Sequence, residues 1–155
     1  MLLTLSAITY ADEPFLQSVY AATRADEMRL VPWSEEQKRM FLQMQFQAQQ
    51  GYYLSRYPNA SLSVIKFNDE PIGRLYVAEL ADEIRIIDIT ILPERRNQGM
   101  GTKLLKDVLL NSAEKQKPVQ IFIENFNQSA KLFAQLGFQP VLEEGVHVLW
   151  RWENE

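Results

Sequence analysis

The sequence predicts an α/β fold on a mixed, mostly antiparallel sheet of about seven strands with about four flanking helices, in a single domain spanning residues 1–155. Three observations predict it. Short β-branched runs alternate with longer stretches of helical periodicity, in the order β-α-α-β-β-β-α-β-α-β-β. Two pairs of runs are joined by short turns, the sign of antiparallel hairpins. At 155 residues, 46% hydrophobic and without a cysteine, the chain is long enough to bury a core unaided by disulfides.

The elements follow in order. "LLTLSAIT" (2–9) reads as a first strand, because its brief apolar run lacks a basic flank and soon meets acids. "ADEPFLQSVYAATRADEM" (11–28) places Phe15, Val19, Tyr20 and Ala22 at helical spacing. A second helix starts at the N-cap Ser34, with Glu35 and Glu36 in its first turn, repeats Met40, Phe41, Met44 and Ala48 on one face, and ends at Gly51. "SLSVIKF" (61–67) and "IGRLYVAEL" (72–80) form a hairpin around "NDEP". "EIRIIDITIL" (83–92) alternates at first and is apolar on both faces toward its end. "GMGTKLLKDVLLNSAEKQ" is a helix with Leu104, Leu105, Val108 and Leu109 inward; "VQIFIE" (119–124) is a buried strand. "NQSAKLFAQLG" is a helix capped by Asn127 and ended by Gly137, and "FQPVLEE" with "VHVLWRWE" closes the sheet as an antiparallel pair.

Composition narrows the function classes. The net charge is -4, with no basic block, so no nucleic-acid partner is expected. No apolar run approaches the roughly 20 residues of a membrane span, so no membrane partner is expected and the protein reads as cytoplasmic. With one histidine, His147, and no cysteine, no metal site is expected. The stretch "ILPERRNQGMGTKLL" (91–105) is the exception to this plain picture. A helix N-terminus leaves backbone N–H groups without partners and is the positive end of the macrodipole. Gly99 and Gly101 carry no Cβ and adopt αL conformations readily, while Arg95 and Arg96 add charges that fork onto phosphate oxygens. These parts describe a diphosphate site. A Walker loop needs Lys directly after the last Gly, where Thr102 stands, and a dinucleotide fingerprint needs a third Gly where Lys103 stands. Neither nucleotide motif fits.

What fits is another pattern. Arg96-Asn97-Gln98-Gly99-Met100-Gly101 resembles the acyl-CoA loop of the GNAT N-acetyltransferase superfamily, Arg/Gln-x-x-Gly-x-Gly/Ala after a strand that ends near a proline. "NQSAKLFAQLGFQPV" resembles that family's later helix, and the resemblance covers residues 60–152, with 1–59 agreeing only in layout. It implies acetyl-CoA as cosubstrate, without metal, and transfer of an acetyl group to a primary amine by direct attack in a ternary complex. It implies a bulged strand whose Ile89, Thr90 and Ile91 main chain lies along pantetheine, and a diphosphate on Arg96, Asn97, Gln98, Gly99, Met100, Gly101 and Thr102. Asn127 and Phe133 are the implied cofactor contacts of the later helix. The Ile91 amide is the implied oxyanion donor.

Transfer also needs a base, because an amine with a pKa of about 10 is protonated at neutral pH. Asp88, which breaks an apolar run, and Glu124, which ends the neighbouring strand, are the candidates; His147 is read as an ordinary strand residue. One position departs from the family: Phe133 stands where a tyrosine usually acts as general acid. That departure keeps a second reading open, a non-catalytic acyl-CoA-binding sensor or interaction module. In this fold the acceptor pocket is built by the first two helices and closing strands, which points to Arg24, Glu27, Trp33 and Tyr53, with Gln45 and Tyr76 beside them. The acceptor class is a small-molecule or peptide amine, and the protein is a monomer or homodimer.

Overall fold

Seven strands and five α-helices make up the computed structural model, which describes residues 2–125, 127 and 129–154. In chain order they are β1 (Leu3–Ala7), α1 (Glu13–Thr23), α2 (Ala25–Arg29), α3 (Glu35–Arg56), β2 (Ser61–Phe67), β3 (Glu70–Glu79), β4 (Ile84–Ile91), α4 (Met100–Lys115), β5 (Val119–Glu124), α5 (Ala130–Gln135), β6 (Gln139–Glu144) and β7 (His147–Trp152). The strands form one sheet in the order β1-β2-β3-β4-β5-β7-β6. β4 and β5 pair in parallel; β1–β2, β5–β7 and β6–β7 are antiparallel. The chain divides into two compact units, Met1–Leu75 with Ile89–Arg96, and Tyr76–Asp88 with Asn97–Glu155.

In the first unit, α1 and α3 bury Leu16, Tyr20 and Phe46 against Val64 of β2, with Ile8, Phe15 and Leu42 at the margin. The long helix α3 starts as its sequence dictates. Ser34 Oγ accepts from the Gln37 amide and the Gln37 side chain accepts from the Ser34 amide, a reciprocal cap. The helix runs through Gly51 to Arg56, past its expected end, and its inward face also differs from the expected one. Met40 and Met44 are exposed, and the core face runs through Leu42 and Phe46. Several apolar stripes compete on this glutamine-rich helix, and burial against Val64 selects the one carrying Phe46. The predicted helix over 11–28 is two helices, interrupted at Arg24, whose backbone leaves helical geometry. The hairpin turn is shorter than "NDEP": Asn68 and Asp69 both have positive φ, so Glu70 and Pro71 already belong to β3.

In the second unit, α4 buries Met100, Leu104, Leu105 and Leu109, and β5 buries Val119, Ile121 and Ile123. Gln116, in the left-handed region, ends α4, and the Lys117 amide bonds back to the Ser112 carbonyl at 3.0 Å. β6 and β7 close as a hairpin through Gly145, with a register shift between Pro140 and Leu142. A proline cannot complete a ladder, and the shift at this edge strand absorbs it. Asn127 precedes α5 by more than a cap position: its Oδ1 accepts from the Ser129 amide at 2.8 Å, and Ser129 is the residue at the helix boundary.

Candidate active site

The route from β4 into α4 sets the geometry. After Ile91 the chain makes a single turn of 3-10 helix at Pro93–Arg95, extends at Arg96, and enters the left-handed region at Asn97 (φ 62°) and Gly99 (φ 80°). Helix α4 begins immediately after. Its first α-type bond runs from the Lys103 amide to the Gly99 carbonyl at 3.0 Å. Met100, Gly101 and Thr102 therefore occupy the first three helical positions, whose amides have no intrahelical acceptor. The buried Met100 side chain anchors this turn in the core. A Cβ added at Gly99 would meet nothing within 4 Å, so the space beside this residue is open. Gly101 differs from its expected conformation: it lies within the helix, and Asn97 supplies the second left-handed residue. Asparagine tolerates that region because its short polar side chain bonds locally.

The two arginines are not equivalent. Arg95 forms an ion pair with Glu70, which holds the turn to the start of β3. The exposed Arg96 donates its Nε to the Ile91 carbonyl at 2.8 Å, so its guanidinium caps the end of β4. Donor-rich amides, a helix of 16 residues behind them and a glycine without a side chain make a fit for a diphosphate.

The candidate bases sit on the neighbouring strands. Asp88 is half-buried on β4, and Glu124 is half-buried at the end of β5, opposite His147 of β7. The β4–β5 pairs are Ile84↔Val119 and Arg85↔Gln120, at the start of both strands. Phe133 is buried and packs edge-on against Phe138, ring centroids 5.2 Å apart. Its ring is part of the hydrophobic core at α5.

Of the acceptor candidates, Arg24, Glu27 and Gln45 gather around Tyr20. Arg24 Nη1 meets Glu27 Oε1 at 3.1 Å and its guanidinium lies 5.5 Å from the Tyr20 ring centroid. The Tyr20 hydroxyl donates to Gln45 Oε1 at 3.2 Å. Burial works against the Arg24 charge, but the contacts with Tyr20 and Glu27 outweigh it and hold its pKa above the ordinary value. Trp33 packs instead edge-on against Phe41, at the side of an open groove of about 550 Å³ along α3, and the half-buried Tyr53 stands beside the Tyr52 ring. Tyr76 is fully buried on β3. Tyr20 was not a site candidate from sequence; its spacing of four from Arg24 is the signal that could have marked it.

Comparison with known proteins decides the family. Residues 58–140, more than half of the chain, match the model described as "Acetyltransferase (GNAT) domain". The chain belongs to the GNAT acetyltransferase family. No curated protein matches it in sequence. Solved GNAT structures share its fold from end to end. The PaiA N-acetyltransferase of Thermoplasma acidophilum, solved in complex with coenzyme A, is 13% identical with a TM-score of 0.74, covering 99% of this chain and 100% of that one. A GNAT acetyltransferase of Elizabethkingia anophelis with acetyl-CoA bound is 21% identical, with a TM-score of 0.61 and 98% coverage of each chain. The ribosomal-protein-S18-alanine N-acetyltransferase of Escherichia coli is 17% identical, with a TM-score of 0.63, covering 98% and 94%. Among the described residues of this GNAT chain, no group of three His, Asp or Glu side chains could hold a metal ion, and no helix is long and apolar enough to cross a membrane.

Proposed function

We propose that the protein is an acetyl-CoA-dependent N-acetyltransferase that moves an acetyl group to a primary amine by direct attack. The observation that carries this reading is the turn at the start of α4. There the left-handed, open Gly99 precedes the Met100, Gly101 and Thr102 amides, which lack intrahelical acceptors and can donate to a diphosphate. Acetyl-CoA supplies an activated acyl group on a thiol leaving group with a pKa of about 8.5, which departs readily as thiolate. The chain's own residues then have three tasks. The main chain of Ile89, Thr90 and Ile91 aligns the pantetheine arm, and the Ile91 N–H donates to the oxygen as it gains charge. Asp88, or Glu124 at the end of β5, takes the proton that the attacking amine must lose. Phe133 cannot donate a proton, so thiolate departure rests on the quality of the leaving group. The cluster of Arg24, Glu27 and Tyr20 is the acceptor-recognition candidate within the first unit.

The non-catalytic alternative rests on Phe133 alone. Both readings require CoA binding, and they part at turnover. Titration calorimetry with CoA, followed by release of thiol from acetyl-CoA across a panel of amino acids, polyamines and peptide N-termini, tests them together. Binding with turnover on at least one amine is expected. Binding with no turnover on any amine selects the alternative, and absence of CoA binding removes both.

A further inference from the structure

We propose that Gly73 is a positioning residue that aims the Ile91 amide, a role that rests on the acetyl-transfer reading above. In a regular antiparallel pair a Cβ leaves the sheet plane and neighbouring strands lie about 4.7–4.9 Å apart, so a cross-strand carbonyl oxygen stays clear of it. Gly73 of β3 breaks this rule. A Cβ built there would lie 2.2 Å from the Thr90 oxygen, 3.0 Å from the Ile91 Cα and 3.1 Å from the Thr90 carbonyl carbon, all backbone atoms of β4. The Thr90–Ile91 peptide has therefore left the plane of the ladder and lies over Gly73. The ladder is regained at the next step, where the Leu92 amide donates to the Ile72 carbonyl at 2.8 Å.

The direction of that peptide has a chemical consequence. Across a trans peptide the N–H points opposite to the C=O. With the Thr90 carbonyl turned onto β3, the Ile91 N–H points to the other side of β4. The far side of Ile91 is held as well, since its own carbonyl accepts from Arg96 Nε at 2.8 Å. Glycine at 73 and arginine at 96 thus clamp one residue between them. A methyl at 73 needs about 3.4 Å from the Thr90 oxygen, so it must drive the carbonyl off by more than an ångström and swing the N–H with it.

The test is Gly73→Ala beside Gly51→Ala, where an added methyl meets nothing within 4 Å. The readouts are CoA affinity by calorimetry, the infrared carbonyl band of bound [1-¹³C]acetyl-CoA, and kcat on whichever amine the wild type accepts. In the wild type and in Gly51→Ala, a hydrogen bond to the thioester oxygen moves the band to lower wavenumber than in free acetyl-CoA. In Gly73→Ala the band returns toward the free position and kcat falls about 100- to 1,000-fold, the usual loss for one oxyanion donor. CoA affinity stays within about threefold. If Gly73→Ala does not fold, Gly73→Ala with Thr90→Gly is measured instead, because glycine at 90 lets the carbonyl swing aside. A shifted band and near wild-type kcat in the folded variant overturn the proposal, as does failure of both variants to fold, which leaves Gly73 only structural. Wild type that binds CoA without a band shift overturns this inference alone. Wild type that does not bind CoA removes the acetyl-transfer reading beneath it.

Discussion

At Gly99 two costs can be separated by substitution. Its φ of 80° penalises any L side chain, by about 1–2 kcal/mol for an ordinary residue, whatever the space around it. The space is open, so bulk alone disturbs no neighbour. Gly99→Ala and Gly99→Asp should therefore fold with similar, modest losses of stability. Only the aspartate sets a negative charge against a diphosphate, and its CoA affinity should fall a further 10-fold or so, in line with about 1.5 kcal/mol or more for a charge-assisted contact. Calorimetry on the two variants checks this; equal CoA affinities would remove the diphosphate from the loop. Phe133 poses the opposite problem, because its space is full. Phe133→Tyr adds a hydroxyl to a ring that is 2% exposed and edge-on to Phe138. An unsatisfied buried hydroxyl costs about 1–3 kcal/mol, so a lower Tm is expected. Where a general acid operates it contributes about 100- to 10,000-fold, yet a thiolate needs little help, and kcat should change by less than about 10-fold. A silent wild type that the tyrosine switches on would show instead that Phe133 disables a competent site.

Among the elements, the β2–β3 hairpin gives a sharp test, because its two turn residues do different work. Both have positive φ, 50° at Asn68 and 68° at Asp69, the signature of a two-residue turn that matches strand twist. Asn68 also ties down β1: its Oδ1 accepts from the Leu2 amide at 2.9 Å and its own amide donates to the Leu2 carbonyl at 2.8 Å. Asp69→Gly relieves about 1 kcal/mol of left-handed strain and gives back part of it as unfolded-state entropy, for a net gain of about 0.5 kcal/mol. Asn68→Gly loses the Leu2 contact and should be destabilising. Thermal melts of the pair should move in opposite directions. These elements also show what a sequence can carry. Most strand and helix positions were legible because period, caps and turn residues are local: Ser34 caps α3, and β2 and β5 have the bounds their residues suggest. The inward face of α3 was not legible. Met40, Met44, Leu42 and Phe46 are all apolar, and only packing against Val64 decides which of them is buried. The turn between β4 and α4 was legible because left-handed backbone and a helix start demand particular residues at fixed spacing. The role of Gly73 is not legible, since nothing in "IGRLYVAEL" says which strand's backbone lies over it.

For the molecule as a whole, the consequence of ligand binding is set by mass action. A ligand that binds only the folded chain stabilises it by RT ln(1 + [L]/Kd), about 2.7 kcal/mol at a hundredfold excess over Kd. For a chain of this length each kcal/mol moves Tm by about 2–4 °C, so saturating CoA should raise Tm by about 5–11 °C. The size of the shift follows from concentration and affinity alone, which makes it a test that needs no acceptor amine. Ligand chemistry then discriminates. The loop lacks the lysine of a Walker motif and the third glycine of a dinucleotide fingerprint, so ATP and NAD at the same concentration should leave Tm nearly unchanged. Acetyl-CoA should match CoA, because the diphosphate and pantetheine are common to both. At the same CoA concentration the shift should fall to about half in Gly99→Asp, whose affinity is about 10-fold lower, and persist in Phe133→Tyr, once each is compared with its own unliganded Tm. A wild-type shift with ATP equal to that with CoA would mean that the α4 turn reads phosphate without reading the pantetheine arm, and β4 would lose its assigned part in donor binding.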